Sequence, residues 1–364
     1  MTDLFTPLPL LRGPALKNRL MLAPLTNQQS NPDRTANDFD IDWVRRCAEG
    51  GYALTMTCAA TVQATGQAFP GQLGIDNDAQ LPGLRRMADT IRAAGSLSAV
   101  QLQHGGHKAR RDLGGVPAPA SDDPVRGVSA IPIARIEAIR EDFIRAALRV
   151  ERAGFDGVEV HGAFGYLLSE FLSPTLNRRT DGYGGTIQNR SRLLFEVIEG
   201  IRRACNPHFQ IGLRLSVERY GLRLHELRDV AAEAMRRQQI DYFDLALWDA
   251  WHQAPAGMFA GQTLLSIFAD LPRHGVAFGV AGKIMTGPQA IELLERGCDY
   301  VLIGRAAILH ADFPHRIRQD FQYVSPALPV SETLLAQNGL SPAFINYMRT
   351  SWDGFVQERI APLA

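Results

Sequence analysis

The stretch Val158–Arg192, VEVHGAFGYLLSEFLSPTLNRRTDGYGGTIQNRSR, decides the fold. It begins as an apolar run that is typical of a buried strand, places His161 at the end of that run, and then becomes a loop rich in Gly, Asn and Arg. Tyr166 follows His161 by five residues, so a titratable pair sits where a strand ends. In α/β barrels that edge carries the chemistry, which makes this stretch the first candidate for a functional site.

Composition indicates a globular enzyme. The chain has 364 residues, with 38 basic and 38 acidic residues and a hydrophobic fraction of 46%. This balance gives no support for a disordered chain or for a nucleic-acid partner. The four cysteines, Cys47, Cys58, Cys205 and Cys298, form no CxxC pair, so neither a disulfide framework nor a metal knuckle is indicated. The N-terminus lacks a signal-peptide pattern and no run reaches membrane-spanning length, so we expect a cytoplasmic protein without a membrane partner.

Eight short apolar runs recur along the chain and predict eight strands. Amphipathic stretches at helical spacing lie between most of them, such as the stripe formed by Ile136, Ile139, Phe143, Ala147 and Val150. Strand followed by helix, eight times over, predicts the α/β class and a single (β/α)8 TIM barrel. The predicted strands are Leu20–Ala23, Ala53–Thr57, Ser98–Leu102, Gly157–Val160, Ile211–Leu215, Tyr242–Leu247, Ala277–Ala281 and Tyr300–Ile303.

Two segments depart from this alternation. The connection after the third strand, from His104 to about Arg135, contains LGGVPAPASDDP, which is too rich in Gly and Pro for a helix and predicts a lid or hairpin over the barrel mouth. The chain also continues beyond the eighth repeat. We therefore predict a barrel domain over residues 1–320 and a C-terminal extension over residues 321–364, with short helices at Ser331–Gln337 and Pro342–Met348. The extension would pack on the barrel or on a neighbouring subunit, which would allow a homo-oligomer.

The segments VAGKIMTGP and VLIGR suggest a phosphate site at the last two strands. Loops at this place in a barrel commonly hold phosphate, because glycines let backbone N–H groups approach the oxygens. Gly282, Lys283, Gly304 and Arg305 fit that role. The alternative is that the glycines cap helices and Arg305 is a surface charge.

Several other polar residues have two interpretations. His161 and Tyr166 could be a hydrogen-bond donor and a proton donor, or a histidine that satisfies a loop carbonyl and a tyrosine that packs beneath the lid. Arg214 lies on the fifth strand, where a buried arginine needs an anionic partner, and a structural ion pair is favoured.

Metal and dinucleotide folds are not indicated. Gln101, His104 and His107 cluster near a strand end, but no carboxylate has matching spacing, so we expect no metal. No GxGxxG follows a strand, which argues against a Rossmann unit. Trp248 and Trp251 either line a pocket after the sixth strand or pack there.

The segments NRLMLAPLT, VQLQHGG, the opening stretch, GLRLS, and VAGK with IGR occur in one order from about Leu4 to Pro314. Together they resemble the Old Yellow Enzyme family of FMN-dependent ene-reductases. The resemblance implies non-covalent FMN, NADH or NADPH as reductant, and reduction of activated C=C bonds in α,β-unsaturated carbonyl or nitro compounds. Flavin N5 would give hydride to one carbon and Tyr166 a proton to the other.

The resemblance also implies residue roles. His161 matches the residue that holds the substrate carbonyl. Gln101 matches the residue at the flavin pyrimidine edge, and Arg214 the cation near N1. The remaining cofactor positions are Ala23, Pro24, Leu25 and Thr26 against the flavin, Ala59 at the same edge, and Ala281, Gly282, Lys283, Gly304 and Arg305 around the phosphate.

The chain departs from the family pattern at Phe164, where a second His or Asn usually lies, and at His107, where an arginine is common. One hydrogen bond to a substrate carbonyl is therefore missing, and we expect ordinary enones to be poor substrates. An alternative is a flavin-dependent dehydrogenase, demethylase or isomerase whose substrate, such as an amine, is held by Phe164 and Trp248. A third hypothesis is an aldolase or isomerase without flavin that holds a substrate phosphate.

Overall fold

The computed structural model describes residues 3–358 and contains a closed barrel of eight parallel strands in sequence order. The strands are β1 (Leu20–Leu22), β2 (Leu54–Thr61), β3 (Leu97–Gln103), β4 (Gly157–Gly162), β5 (Gln210–Leu215), β6 (Tyr242–Ala246), β7 (Ala277–Ala281) and β8 (Tyr300–Ile303). The predicted TIM barrel is confirmed. The largest error in a strand is at β2, which runs to Thr61 because it bends at an irregularity between Met56 and Ala59 and then continues pairing with β3.

Thirteen helices follow in chain order within the described residues. They are α1 (Asp38–Glu49), α2 (Leu81–Ala93), α3 (Ile133–Ala153), α4 (Leu167–Leu172), α5 (Ile187–Arg190), α6 (Arg192–Ala204), α7 (Leu224–Arg236), α8 (Leu264–Ala269), α9 (Gly287–Glu295), α10 (Arg305–Leu309), α11 (Phe313–Gln319), α12 (Glu332–Gln337) and α13 (Pro342–Ser351). The predicted apolar stripe of α3 is buried. Thr286 caps α9 by accepting a hydrogen bond from the Gln289 N–H, as its position before Gly and Pro indicates.

The strands separate two apolar layers because their side chains alternate between faces. On β4, Val158 and Val160 face outward and pack in the layer between strands and helices. Tyr242 and Tyr300 belong to the smaller cluster inside the barrel. Glu159 and His161 alternate with the two valines and so project inward.

Two glycines make room for the tyrosines inside the barrel. A Cβ at Gly212 would lie 2.1 Å from the Tyr242 ring, and one at Gly279 would lie 2.2 Å from the Tyr300 ring. Any side chain at either glycine would displace a ring. These rings fill the barrel centre beneath the polar groups of β4 and β5.

The connection between β3 and α3 is irregular, as predicted. It contains short 3-10 turns at Gly106–Lys108 and Arg111–Leu113 and a small antiparallel bridge between Asp123 and Val128. This segment, residues 104–132, is called the lid below.

The C-terminal helices fold back on the barrel. The rings of Phe344 in α13 and Trp43 in α1 meet edge to face at 5.4 Å, and the hydroxyl of Ser341 lies 2.7 Å from Oε1 of Gln29. The boundary at residue 320 and a contact with a neighbouring subunit stay predictions. No helix within residues 3–358 is long and apolar enough to cross a membrane.

Candidate active site

A tight turn joins β4 to α4 and aims Tyr166 at the barrel mouth. Phe164 has φ +59° and Gly165 has φ +68°, so two successive residues adopt the left-handed conformation. The Phe164 N–H donates to Oγ of Ser216 at 2.9 Å, and the Gly165 N–H donates to Oγ of Ser169 at 3.2 Å. Hydrogen bonds from both sides hold a turn that a phenylalanine rarely adopts.

His161 and Tyr166 lie together at this turn. Their ring centroids are 5.4 Å apart, and His161 is only 4% exposed. Nδ1 of His161 is buried and has no hydrogen-bond partner among the described residues. Burial, with the nearby charges of Arg214 and Lys108, holds the pKa of His161 well below its usual value, so the imidazole is neutral.

The Tyr166 phenol stays protonated over the physiological range. Burial, together with the neighbouring Tyr347 and Tyr220, raises its pKa above the usual value. Tyr347 belongs to α13, so the C-terminal extension reaches the same mouth. A protonated phenol beside a neutral imidazole can donate a proton while the imidazole donates a hydrogen bond.

Lys108 of the lid is a site residue that the sequence did not indicate. Its Nζ donates to the Phe164 carbonyl at 2.6 Å and lies 5.1 Å from the Tyr166 ring centroid and 4.7 Å from that of Tyr220. Burial lowers the pKa of this amine. No pattern around QHGGHK marks a contact with a turn more than 50 residues away, and only the fold brings the two together.

Arg214, the cation inside the barrel, has an anionic partner, as predicted for a buried arginine. A nitrogen of Arg214 donates to the Asp244 carboxylate, its neighbour on β6, while Nε of Arg214 is buried without a partner. Gln101 donates through Nε2 to Oε1 of Glu159 at 2.8 Å. The structural ion pair is therefore present, and Arg214 keeps one donor free for another acceptor.

Glu159 and Asp244 are sealed inside the barrel. Both are 0% exposed. Burial raises the pKa of each carboxyl group, and the negative charge of Asp244 adds to the rise at Glu159. With one arginine between two buried carboxyls, the arrangement favours a proton on one of them.

The predicted phosphate residues meet at the ends of β7 and β8. Arg305 makes no ion pair with a described residue. Its closest polar contact is 3.5 Å from Nη1 to the Trp248 carbonyl, and burial lowers its pKa. Lys283 is more exposed and pairs with Asp249 at 3.2 Å. At Gly304 an added Cβ would lie 3.5 Å from the Leu25 side chain and 3.9 Å from that of Ala23, so the β1 wall packs against this glycine at van der Waals distance.

The segment after β1 and the end of β2 form another wall. Ala23 is buried, whereas Pro24, Leu25 and Thr26 are partly exposed in the loop that follows β1. The Thr26 hydroxyl has no hydrogen-bond partner within residues 3–358. Ala59 is paired with Gln101 across β2 and β3, which places the predicted pyrimidine-edge residues side by side.

The two tryptophans of LWDAWHQ separate. Trp248 is 37% exposed, with its ring 6.3 Å from that of Phe164. Trp251 packs against the core and donates through Nε1 to Glu292 at 3.0 Å. Only Trp248 can contact a ligand in the mouth.

Glu170 and the long loop after α4 hold the lid in place. The Glu170 carboxylate accepts from the Ala120 N–H at 2.8 Å and lies 2.8 Å from Nδ1 of His107. Arg179 donates to the Ala120 and Ile131 carbonyls at 3.0 and 2.7 Å. These contacts give the TLNRRTDGYGG segment a structural role, and His107 has a structural partner.

His104 is satisfied within the lid. Its Nδ1 accepts from the Gly106 N–H at 3.0 Å, Nε2 lies 3.1 Å from Oε1 of Gln63, and burial lowers its pKa to about 3. Over the part of the chain that the structure describes, no group of three or more His, Cys, Asp or Glu side chains could hold a metal ion.

These features fit a flavin mononucleotide. Within residues 3–358, Arg214 has a buried Nε without a partner, Arg305 makes no ion pair beside Gly304, and the Thr26 hydroxyl has no hydrogen-bond partner. The family model described as NADH:flavin oxidoreductase / NADH oxidase matches residues 3–323. The chain belongs to this family.

Relatives and solved structures agree with that membership. The chain is 31% identical to the probable NADH-dependent flavin oxidoreductase YqiG of Bacillus subtilis, over 87% of this chain and 88% of the relative. It is 35% identical to an NADPH dehydrogenase of Halalkalibacterium halodurans, over 84% and 90%. Morphinone reductase in complex with tetrahydroNAD has a TM-score of 0.78 and 26% identity, over 94% and 97%.

The Old Yellow Enzyme of a Pichia species has a TM-score of 0.75 and 25% identity, over 92% of this chain and 90% of that one. The resemblance to the Old Yellow Enzyme family is confirmed, and the protein is a flavin oxidoreductase that uses a nicotinamide reductant. The residue roles and the acceptor substrate stay predictions.

Proposed function

We propose that the protein is an ene-reductase that uses FMN and NADH or NADPH to reduce the activated C=C bond of α,β-unsaturated carbonyl or nitro compounds. The observation that carries the proposal is the pairing of His161 and Tyr166 at the end of β4, 5.4 Å apart between ring centroids. Family membership establishes the oxidoreductase class. The pair supports a reaction in which one group binds the acceptor's oxygen and the other donates a proton to carbon.

The protein groups would hold FMN by complementary contacts. Arg214 has a buried Nε free for an acceptor on the ring, and Gln101 is oriented by its bond to Glu159. Arg305 offers an unpaired guanidinium for the phosphate. When bound, the flavin supplies the hydride acceptor and donor that this chain lacks.

His161 and Tyr166 would then act on the oxidising substrate. The neutral imidazole donates a hydrogen bond to the carbonyl or nitro oxygen, which draws electron density away from the double bond. The Tyr166 hydroxyl keeps its proton until a strongly basic carbon develops beside it, because burial has raised its pKa. Burial of both groups strengthens these interactions by removing water.

Phe164 favours a second candidate function. Its ring lies between those of His161 and Trp248, at 5.8 and 6.3 Å, and 5.7 Å from the Arg214 guanidinium carbon. This apolar wall stands where the family pattern has a hydrogen-bond donor. A dehydrogenase, demethylase or isomerase acting on a substrate without a carbonyl, such as an amine, would use such a wall.

Reoxidation of the reduced enzyme separates the two functions. Enzyme reduced by NADPH without oxygen is mixed with maleimide, cyclohexenone or a nitroalkene, and flavin absorbance is followed. We expect at least one of these to reoxidise the flavin faster than oxygen does. Tyr166→Phe should slow that step by about a hundredfold or more and leave reduction by NADPH unchanged, since the phenol acts only as the proton donor.

Tyr323→Phe is the matched control, because Tyr323 packs against His310 and Phe313, neither of which is a predicted site residue. Reoxidation no faster with any acceptor than with oxygen would overturn the ene-reductase proposal. Bleaching of the oxidised flavin by amines without NADPH would favour the second candidate.

A further inference from the structure

A cleft of 440 Å³ opens beside the mouth, between the loops after β5 and β6 and the end of β7. We call it the Trp248 cleft. Its lining is formed by Glu218, Arg219, Trp248, Asp249, His252, Pro255, Leu264 and Lys283. The cleft therefore combines apolar surface with two cations and two carboxylates. A larger cavity of 690 Å³ lies among α5, α6 and α7 and contains none of the predicted site residues.

A row of rings connects the Trp248 cleft to the reacting groups. His161 lies 5.8 Å from Phe164, and Phe164 lies 6.3 Å from Trp248, between ring centroids. The guanidinium carbon of Arg219 lies 4.5 Å from the Trp248 ring centroid. A ligand with one end beside His161 can thus run along the row and place its other end in the cleft.

Arg219 is the available charge in the cleft. It makes no ion pair or side-chain hydrogen bond with any residue between 3 and 358, and its guanidinium lies over the Trp248 ring. Of the two acids in the lining, Asp249 pairs with Lys283 at 3.2 Å, and Glu218 accepts from the Trp248 N–H at 3.0 Å. An anionic ligand would find one free guanidinium with five donors.

The backbone that presents Arg219 is unusual. Arg219 and Tyr220 have φ +67° and +52°, and Gly221 has φ +67°. Two successive residues with side chains in the left-handed region are strained and persist only where the surroundings hold them. Tyr220 packs beside Lys108, so the same loop touches both the mouth and the cleft.

We propose that the Trp248 cleft binds the adenosine diphosphate end of the nicotinamide dinucleotide, with a phosphate on Arg219 and the adenosine against Trp248, Pro255 and Leu264. This rests on the proposed function, because it requires the nicotinamide to lie beside His161. Ligand sites of small molecules span about 300–1,000 Å³, and the cleft falls within that range. Its lining offers an indole face for a flat ring and, at Arg219, a guanidinium without an ion-pair partner in the described chain for a phosphate.

The test compares reductants with and without the adenosine end. Reduction of the holoenzyme flavin is followed in a stopped-flow instrument without oxygen, using NADH, NADPH and 1-benzyl-1,4-dihydronicotinamide. We expect Arg219→Ala to raise the apparent Kd of both dinucleotides by about tenfold, the effect of losing one charge-assisted hydrogen bond, and to leave that of the benzyl compound unchanged. Arg219→Lys should recover part of the loss.

Arg223→Ala is the control, because this arginine lies in the same loop but outside the cleft and is 60% exposed. An unchanged dinucleotide Kd in Arg219→Ala would overturn the proposal, as would an equal rise for the benzyl compound or a loss of FMN affinity. Calorimetric titration of the oxidised holoenzyme with ADP tests the cleft separately from the ene-reductase proposal. Binding that Arg219→Ala abolishes supports the cleft even if no acceptor reoxidises the enzyme, and no ADP binding overturns it.

Discussion

At the scale of single residues, Phe164 determines how strongly the site can polarise a carbonyl. It combines a left-handed backbone with an aromatic side chain, where a short polar residue would be better suited to both conformation and chemistry. Asparagine tolerates that backbone and carries an amide donor. The residue therefore tests whether the missing hydrogen bond limits the reaction.

We expect Phe164→Asn to raise the rate at which cyclohexenone reoxidises the reduced flavin by about tenfold or more, since one neutral hydrogen bond contributes about 0.5–1.5 kcal/mol and one to a developing oxyanion more. Phe164→Leu removes the ring without adding a donor and should give no increase. Rapid-mixing absorbance measures both variants. If Phe164→Leu gains as much as Phe164→Asn, the additional space and not the donor explains the change.

Glu159 makes stability depend on pH. Its pKa is raised from 4.5 by burial and by Asp244, so the folded protein binds its proton more tightly than the unfolded chain does. The contribution of Glu159 to the free energy of unfolding is fully present below the pKa that Glu159 has in the unfolded chain. It is lost as the pH rises through the higher pKa that Glu159 has in the folded protein. Asp244 contributes with the same sign, whereas the Arg214 charge opposes both shifts.

We expect the free energy of unfolding of the wild type to fall by more than about 1 kcal/mol as the pH rises from about 5 to about 8, and Glu159→Gln to remove much of that slope. The amide keeps an acceptor for Gln101 and cannot ionise. Urea titrations at a fixed excess of FMN measure the free energy of unfolding at each pH. Glu141→Gln, at a glutamate whose side chain is 47% exposed, is the control. A slope that persists in Glu159→Gln would place the effect elsewhere.

At the scale of elements, the strands were the most predictable part of the structure. Each barrel strand is buried on both faces and forms an apolar run in the sequence. The predicted carboxyl end therefore lies within about two residues of the observed one for seven of the eight strands. The sequence predicts that β2 ends at Thr57, but Ala59, Ala60 and Thr61 pair with β3 after the irregularity. A single sequence does not mark such a shift in register.

Some residues of the candidate site can be predicted from the sequence, and others cannot. His161, Tyr166 and Arg214 could be singled out because polar residues at the ends of apolar strands are unusual. Lys108 and Glu159 could not, since their roles depend on contacts across the sheet or from the lid. Glu159 lies beside Gln101 because of the register between β3 and β4. Lys108 reaches the Phe164 carbonyl because the lid folds over the mouth.

At the scale of the whole molecule, the C-terminal extension folds back on the barrel. The C-terminal extension buries Phe344 against α1, approaches Tyr166 through Tyr347, and brings the Trp352 ring to 5.4 Å from the Arg305 guanidinium carbon. The extension therefore lies near the proposed proton donor and contacts the proposed phosphate ligand. Residues far from the flavin motifs would influence how the flavin is held.

We expect Trp352→Ala to raise the Kd of FMN by about three- to tenfold, because a cation–π contact of roughly 0.5–2 kcal/mol helps to fix the Arg305 guanidinium for phosphate. Trp352→Phe retains a ring and should stay close to the wild type. Arg349→Ala, in the same extension but on its outer side, should have no effect. The Kd follows from the recovery of free-flavin fluorescence on dilution.

If all three variants retain FMN equally, Arg305 holds its position without the extension. If Trp352→Phe loses as much FMN affinity as Trp352→Ala, the indole has a packing role that the cation–π contact does not explain.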